Sequence, residues 1–141
     1  LEEKRYSTAA SCFKKIIAGF APFPITFNKF DYFQHVIDFT FYISLDDCSA
    51  QTIVNYCKQL KKSSPYLLNN KFNLPHMSVG RRLTKEGLEI AETTFTNFNA
   101  TDFCDTFVIR KFNTSRRQYD IKEVIPLLNK RDGTNTQLSL F

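Results

Sequence analysis

His76 and Ser78, within "NLPHMSVGRRLT" (residues 73–84), are the residues whose types and spacing best suit them to do chemistry. Alternate side chains of a strand share a face, so His76, Ser78 and Gly80 fall together while Met77, Val79 and Arg81 turn the other way. An imidazole exchanges a proton near neutral pH, and a hydroxyl beside it can donate to an oxygen of the same small anion. Gly80 on that face leaves room for a ligand to lie against the backbone. Pro75 cannot donate to a ladder, so it sets the strand's first residue and puts His76 near a sheet end. On its own, an H-x-S triplet more often marks a strand-start histidine bonded to a loop carbonyl and a solvent-facing serine.

The elements that must position this strand are legible from spacing. Residues 2–20 form an amphipathic helix, with Tyr6, Ala9, Ala10, Phe13, Ile16, Ile17 and Phe20 on one stripe and Gly19 and Pro22 closing it. "PITFNKF" (24–30) and "DFTFYISL" (38–45) read as strands, the second with Phe39, Phe41, Ile43 and Leu45 on one apolar face. Ser49 is placed to cap a helix over 50–62, and 63–75 reads as loop. After the His76 strand, Thr84 caps a helix running to Phe98, with Leu88, Ala91, Phe95 and Phe98 inward. Strands at about 104–112 and 118–126 follow, joined by "NTSRR".

The second half repeats the first in layout. Each helix leads into a strand ending in Lys-Phe (Lys29-Phe30 and Lys111-Phe112), a turn, and a second strand. Copy two opens with the His76 strand, whereas copy one opens directly at its helix. Symmetry therefore asks for a strand before Leu1, and the chain reads as an N-terminally truncated fragment.

Composition narrows the function classes. The 141 residues, 43% hydrophobic and 23% charged, suffice for one domain with a core. Fifteen Phe and no Trp point to a Phe-rich core. Cys12, Cys48, Cys57 and Cys104 are scattered without a CxxC pair, which argues against a zinc site and fits reduced thiols of a cytoplasmic protein. No apolar run approaches a membrane span. The net charge of +5 is gathered in pairs such as Arg81-Arg82 and Arg116-Arg117, which makes a phosphate-bearing partner plausible.

"PHMSVGR" (75–81), followed by a helix, two strands and a basic turn, resembles the two-histidine (2H) phosphoesterase, or 2′-5′ RNA ligase-like, superfamily. Its pattern Pro-His-h-[Ser/Thr]-h-[Gly/Ala]-[Arg/Lys], with h hydrophobic, is matched from Pro75 to Arg81, and "FAPFPITFNKFDYF" resembles the stretch after the family's first helix. The resemblance covers residues 1–127. It implies an α+β fold of two pseudo-symmetric lobes whose antiparallel sheets face a groove, each carrying one H-x-[Ser/Thr] strand, with helices outside. It also implies chemistry without metal or cofactor on a cyclic or 2′-linked phosphodiester of RNA or a nucleotide. One histidine takes a proton, the other gives one, and the hydroxyls hold phosphoryl oxygens. His76 is one of that pair, as acid or as base, with Ser78 beside it. Tyr119, Arg116 and Arg117, on the turn after the first strand of copy two, are candidate phosphate or base contacts. Arg81 is another, although it faces away from His76 if the strand is regular.

The first H-x-[Ser/Thr] strand of the family is not in this sequence. His35, in "FQHVIDF", does not replace it, because no hydroxyl residue follows at +2 and its setting reads as an exposed turn. The 141 residues alone are expected to turn over little. A binding module of the same fold without catalysis is the alternative.

Residues 129–141 read as a flexible tail ending in "QLSLF". It resembles the pentapeptide by which bacterial DNA-processing proteins dock on the replication sliding clamp. The resemblance implies Leu138, Leu140 and Phe141 in an apolar pocket with Gln137 hydrogen-bonded at its rim.

Overall fold

The computed structural model describes residues 2–64 and 74–128. The tail and its "QLSLF" motif lie outside the described residues, as does most of the loop before His76. The elements run α1 (Glu2–Ile17), β1 (Phe23–Gln34), β2 (Phe39–Leu45), α2 (Asp47–Ser63), β3 (His76–Leu83), α3 (Lys85–Thr94), β4 (Ala100–Cys104), β5 (Thr106–Asn113) and β6 (Gln118–Pro126). The chain divides into two compact units. Residues 23–104 make one, and α1 with the β5–β6 hairpin makes the other.

The first of these units is built on a four-stranded antiparallel sheet in the order β3-β2-β1-β4. Irregularities in two strands decide what its faces carry. Along β1, Phe27 pairs with Leu45, but Lys29 pairs with Ser44 and Phe30 with Ile43. The bulge at Asn28 is why apolar residues at odd positions (Ile25, Phe27) give way to even ones (Phe30, Tyr32) while staying on one face. That face packs on the helices. Phe41 is 1% exposed and stacks on Phe30 with ring centroids 5.2 Å apart, and Phe95 and Phe98 close over the pair. Phe23 meets Tyr56 of α2 edge-on at 5.6 Å.

β2 is one of the two inner strands, and residues 41–45 are buried on both faces rather than on one. The alternation Phe39, Phe41, Ile43 identifies the helix-facing side. The other side carries Thr40, Tyr42 and Ser44, level with Phe33, Asp31 and Lys29 of β1.

Local signals set the helix starts. Asp46, not Ser49, caps α2, accepting from the Ser49 backbone N–H at 2.9 Å. Ser49 is buried in the first turn instead, where its hydroxyl accepts from Thr26 N–H and so ties the helix to β1. Thr84 caps α3 through the Gly87 N–H, as its position implies. α3 ends at Thr94, earlier than the apolar stripe suggests, and Phe95 and Phe98 reach Phe30 from the segment beyond it. The short β4, paired with β1 from Phe23 to Phe27, is a strand the sequence reading misses.

In the other unit, α1 packs on one side of the hairpin. Phe20 meets Phe107 edge-on at 6.3 Å, Lys14 Nζ lies 2.7 Å from Glu123, and the Leu128 N–H donates to the Phe20 carbonyl. The sequence repeat therefore does not coincide with the spatial units. The helix of copy one packs on the hairpin of copy two, and the His76 strand of copy two pairs with the hairpin of copy one.

The β5–β6 turn is held by Asp120, which accepts from Asn113 at 3.0 Å and pairs with Arg116. The Asn113 hydrogen bond first, then Arg116, lowers the Asp120 pKa. A carboxyl lowered in the folded state contributes stability above its unfolded value of about 3.9 and loses it as pH falls through the lower folded value. Thermal midpoints between pH 7 and pH 3 are expected to fall less steeply for Asp120→Asn than for the natural chain. Parallel curves would remove this role.

Candidate active site

The strand order of the sheet brings the chemistry-bearing side chains to the face of β1–β3 that turns away from α2 and α3. Ser44 pairs with His76 and Tyr42 with Ser78, so imidazole and hydroxyl share that face, as strand alternation requires. The register then slips. Phe41 pairs with Gly80, leaving Val79 over, and Phe39 pairs with Leu83, so that Arg81 and Arg82 together stand opposite Thr40.

This bulge corrects two expectations. Gly80 sits opposite Phe41 on the helix side, where an added Cβ would lie 3.1 Å from the Leu83 side chain, so its smallness serves packing and not a ligand. Arg81 is returned to the side of His76, and its Nη2 donates to Ser78 Oγ at 3.4 Å. Arg82 takes up the distortion with a left-handed φ of 55°. A regular strand would have pointed Arg81 away; the extra residue reverses it.

His76 is exposed, and its ring is fixed from two directions. Phe33 meets it edge-on at 5.0 Å and Tyr42 lies tilted against it at 5.1 Å, and those two rings stack on each other at 4.4 Å. Nδ1 lies 2.8 Å from the Leu74 carbonyl oxygen. A carbonyl only accepts, so Nδ1 carries the proton of that bond. In the neutral ring Nε2 is then the unprotonated nitrogen, able to take a proton, and in the charged ring it is the one that gives a proton up. The loop-carbonyl bond expected of an ordinary strand-start histidine is thus present, and it fixes the orientation and tautomer of the ring. Burial, and then the charge of Asp31, raises the Tyr42 pKa, so Tyr42 remains a neutral phenol under His76.

A cleft of about 470 Å³ opens at this place. His76, Ser78, Arg81 and Arg82 line it from β3. Phe33 and Thr40 contribute from β1 and β2, and His35 and Asp38 from the turn between them. Phe33, Tyr42, Arg82 and the His35 turn were missed in the sequence. The set Thr40, Tyr42, Ser44, alternating with the apolar residues of β2, was the available signal for Tyr42. A larger cleft, about 730 Å³, lies beside residues 95–99 but includes nothing from the His76 strand.

Of the other candidates, Arg116, Arg117 and Tyr119 lie on the hairpin of the other unit. Arg116 is engaged with Asp120, and Arg117 holds a left-handed φ of 52° in the turn. Tyr119 is half exposed, with Phe112 edge-on at 5.2 Å and the Arg110 guanidinium 5.9 Å from its ring centre. No group of three or more His, Cys, Asp or Glu among the described residues is arranged to hold a metal ion. None of the described helices is long and apolar enough to cross a membrane.

An α+β chain that sets a His-x-Ser pair on one face of an antiparallel sheet, with a guanidinium bonded to the serine, has the motif strand of the two-histidine phosphoesterases. Residues 1–117 match the family described as the 2′-5′ RNA ligase superfamily, and the chain belongs to it. No curated protein matches the chain.

Proposed function

We propose that the cleft binds the phosphate of a cyclic or 2′-linked phosphodiester in RNA or a nucleotide, and that His76 is one acid/base of its opening. The observation that carries this is the shared face of β3, where an oriented imidazole, a hydroxyl and a returned guanidinium converge in a chain of this superfamily. In the reaction a water oxygen forms a bond to phosphorus as the bond from phosphorus to the 2′ or 3′ oxygen breaks. One imidazole takes the water's proton and a second delivers a proton to the departing sugar oxygen, leaving a phosphomonoester. His76 Nε2 does one of these two jobs. Ser78 and Arg81 donate to the non-bridging oxygens, where charge builds up in the transition state.

The second imidazole is expected from the other H-x-[Ser/Thr] strand that the family pairs with this one. Binding is therefore the direct test on the 141-residue chain. Titration calorimetry with a nucleoside 2′,3′-cyclic monophosphate is expected to show a site that Arg81→Ala weakens by about 10–100-fold, the loss of charge-assisted hydrogen bonds. A natural chain that ignores the ligand at millimolar concentration would overturn the reading.

The sequence "QLSLF" supports a separate partner reading, docking of the tail on a bacterial sliding clamp by Leu138, Leu140, Phe141 and Gln137. A labelled peptide of residues 133–141 is expected to bind a bacterial clamp, and no binding at high micromolar clamp removes the idea.

A further inference from the structure

The sequence holds two histidines, and the fold brings both to one cleft. His35 lies outside the H-x-[Ser/Thr] pattern, yet it is placed and not loose. Its backbone N–H donates to the Asp38 carbonyl at 2.8 Å, which closes the β1–β2 turn. Its Nε2 lies 3.0 Å from Thr40 Oγ1, and Nδ1 has no hydrogen-bond partner among the described residues. Thr40 and Tyr42 are successive same-face positions of β2, about 7 Å apart. Tyr42 packs on the ring of His76 and Thr40 bonds that of His35, and both imidazoles line the same cleft.

The charge around them is unbalanced. Arg81 and Arg82 form no ion pair among the described residues, and Asp38 is the sole carboxylate in the lining. A volume of about 470 Å³ also exceeds what one phosphate fills and falls in the range of sites for small organic ligands.

Resting on the reading above, we infer that the cleft takes a nucleic-acid end through two neighbouring phosphates, the reacting one at His76 and Ser78 and the flanking one at His35. Arg81 and Arg82 supply one guanidinium for each phosphate, and Asp38 at the turn is a fitting acceptor for a ribose hydroxyl between them. His35 is then a specificity residue: it separates an oligonucleotide end from a free cyclic mononucleotide.

The experiment compares two probes on the full 141-residue chain by titration calorimetry: a nucleoside 2′,3′-cyclic monophosphate, and a dinucleotide that ends in the same cyclic phosphate. His35→Ala and His35→Gln are the variants. Glutamine keeps a hydrogen-bond partner for Thr40 but has no second ring nitrogen to offer a phosphate. Because His35 is exposed in a turn, unchanged circular dichroism is expected for both. The natural chain is expected to prefer the dinucleotide. Both variants are expected to weaken the dinucleotide by about three- to tenfold and leave the mononucleotide unchanged, the effect of one exposed hydrogen-bonded contact. Equal weakening of both probes, or of neither, overturns the inference while the mononucleotide reading stands. A natural chain that binds neither probe overturns that reading, and the inference falls with it.

Discussion

Changing His76 to alanine is expected to lower the rate at which a nucleoside 2′,3′-cyclic phosphate is opened by roughly 10²–10⁴-fold, the span that a positioned proton donor or acceptor contributes. The size follows from the geometry of one ring. Nδ1 is committed to the Leu74 carbonyl, so all proton exchange with a substrate runs through Nε2. Phe33 and Tyr42 hold the ring plane, so little reorganisation is needed as the proton moves. His76→Gln separates proton transfer from binding, since an amide donates a hydrogen bond but does not exchange a proton near pH 7. It is expected to lose turnover as fully as alanine does while losing less than tenfold in affinity for the cyclic phosphate. The rates are measured by single-turnover chromatography with the second H-x-[Ser/Thr] strand supplied. His76 is exposed and contributes little to the core, so both variants are expected to stay folded. Turnover within threefold of the natural protein in His76→Gln would sink the acid/base role and leave His76 as a binding residue.

How far the sequence disclosed this site depends on where the backbone is regular. Strand alternation placed His76 and Ser78 together because the register between them is unbroken. It failed two residues later, at Gly80 and Arg81, because a bulge is decided by pairing with β2 and leaves no periodic trace in β3 itself. The bulge at Asn28 differs, since the apolar residues of β1 change parity across it and record it in the sequence. His35 was set aside for want of a hydroxyl at +2. Its partner is Thr40 at +5, which reaches it because the chain turns back between them. A spacing rule made for a strand cannot see across a hairpin. The same limit applies to the internal repeat. Its elements were legible, but which hairpin each helix covers is a matter of exchange in space. β4 was missed because five residues with one alternating pair carry too little pattern to stand apart from the flanking loop.

The largest stability loss is expected at Phe41. It is 1% exposed, stacks on Phe30 at an interplanar angle of 8°, and lies 6.2 Å from the ring of Phe95. Truncation to alanine removes an aromatic ring from a position where the surrounding rings belong to a strand and to the segment after α3, which cannot close in together. The cost expected from such a cavity is about 3–5 kcal/mol, a large share of the 5–15 kcal/mol that holds a domain folded. Phe41→Leu fills most of the volume and is expected to cost clearly less. Urea unfolding followed by circular dichroism gives both numbers, read from the midpoint shift at constant slope. A loss under 1 kcal/mol for alanine would mean that this face is not the core of its unit. The consequence reaches the cleft through the strand. Phe41 precedes Tyr42, on which His76 rests, and pairs with Gly80, where the register slips to return Arg81. Phe41→Ala that remains folded at low temperature is therefore expected to bind a cyclic nucleotide more weakly than the natural chain, although Phe41 itself faces the helices and touches no ligand.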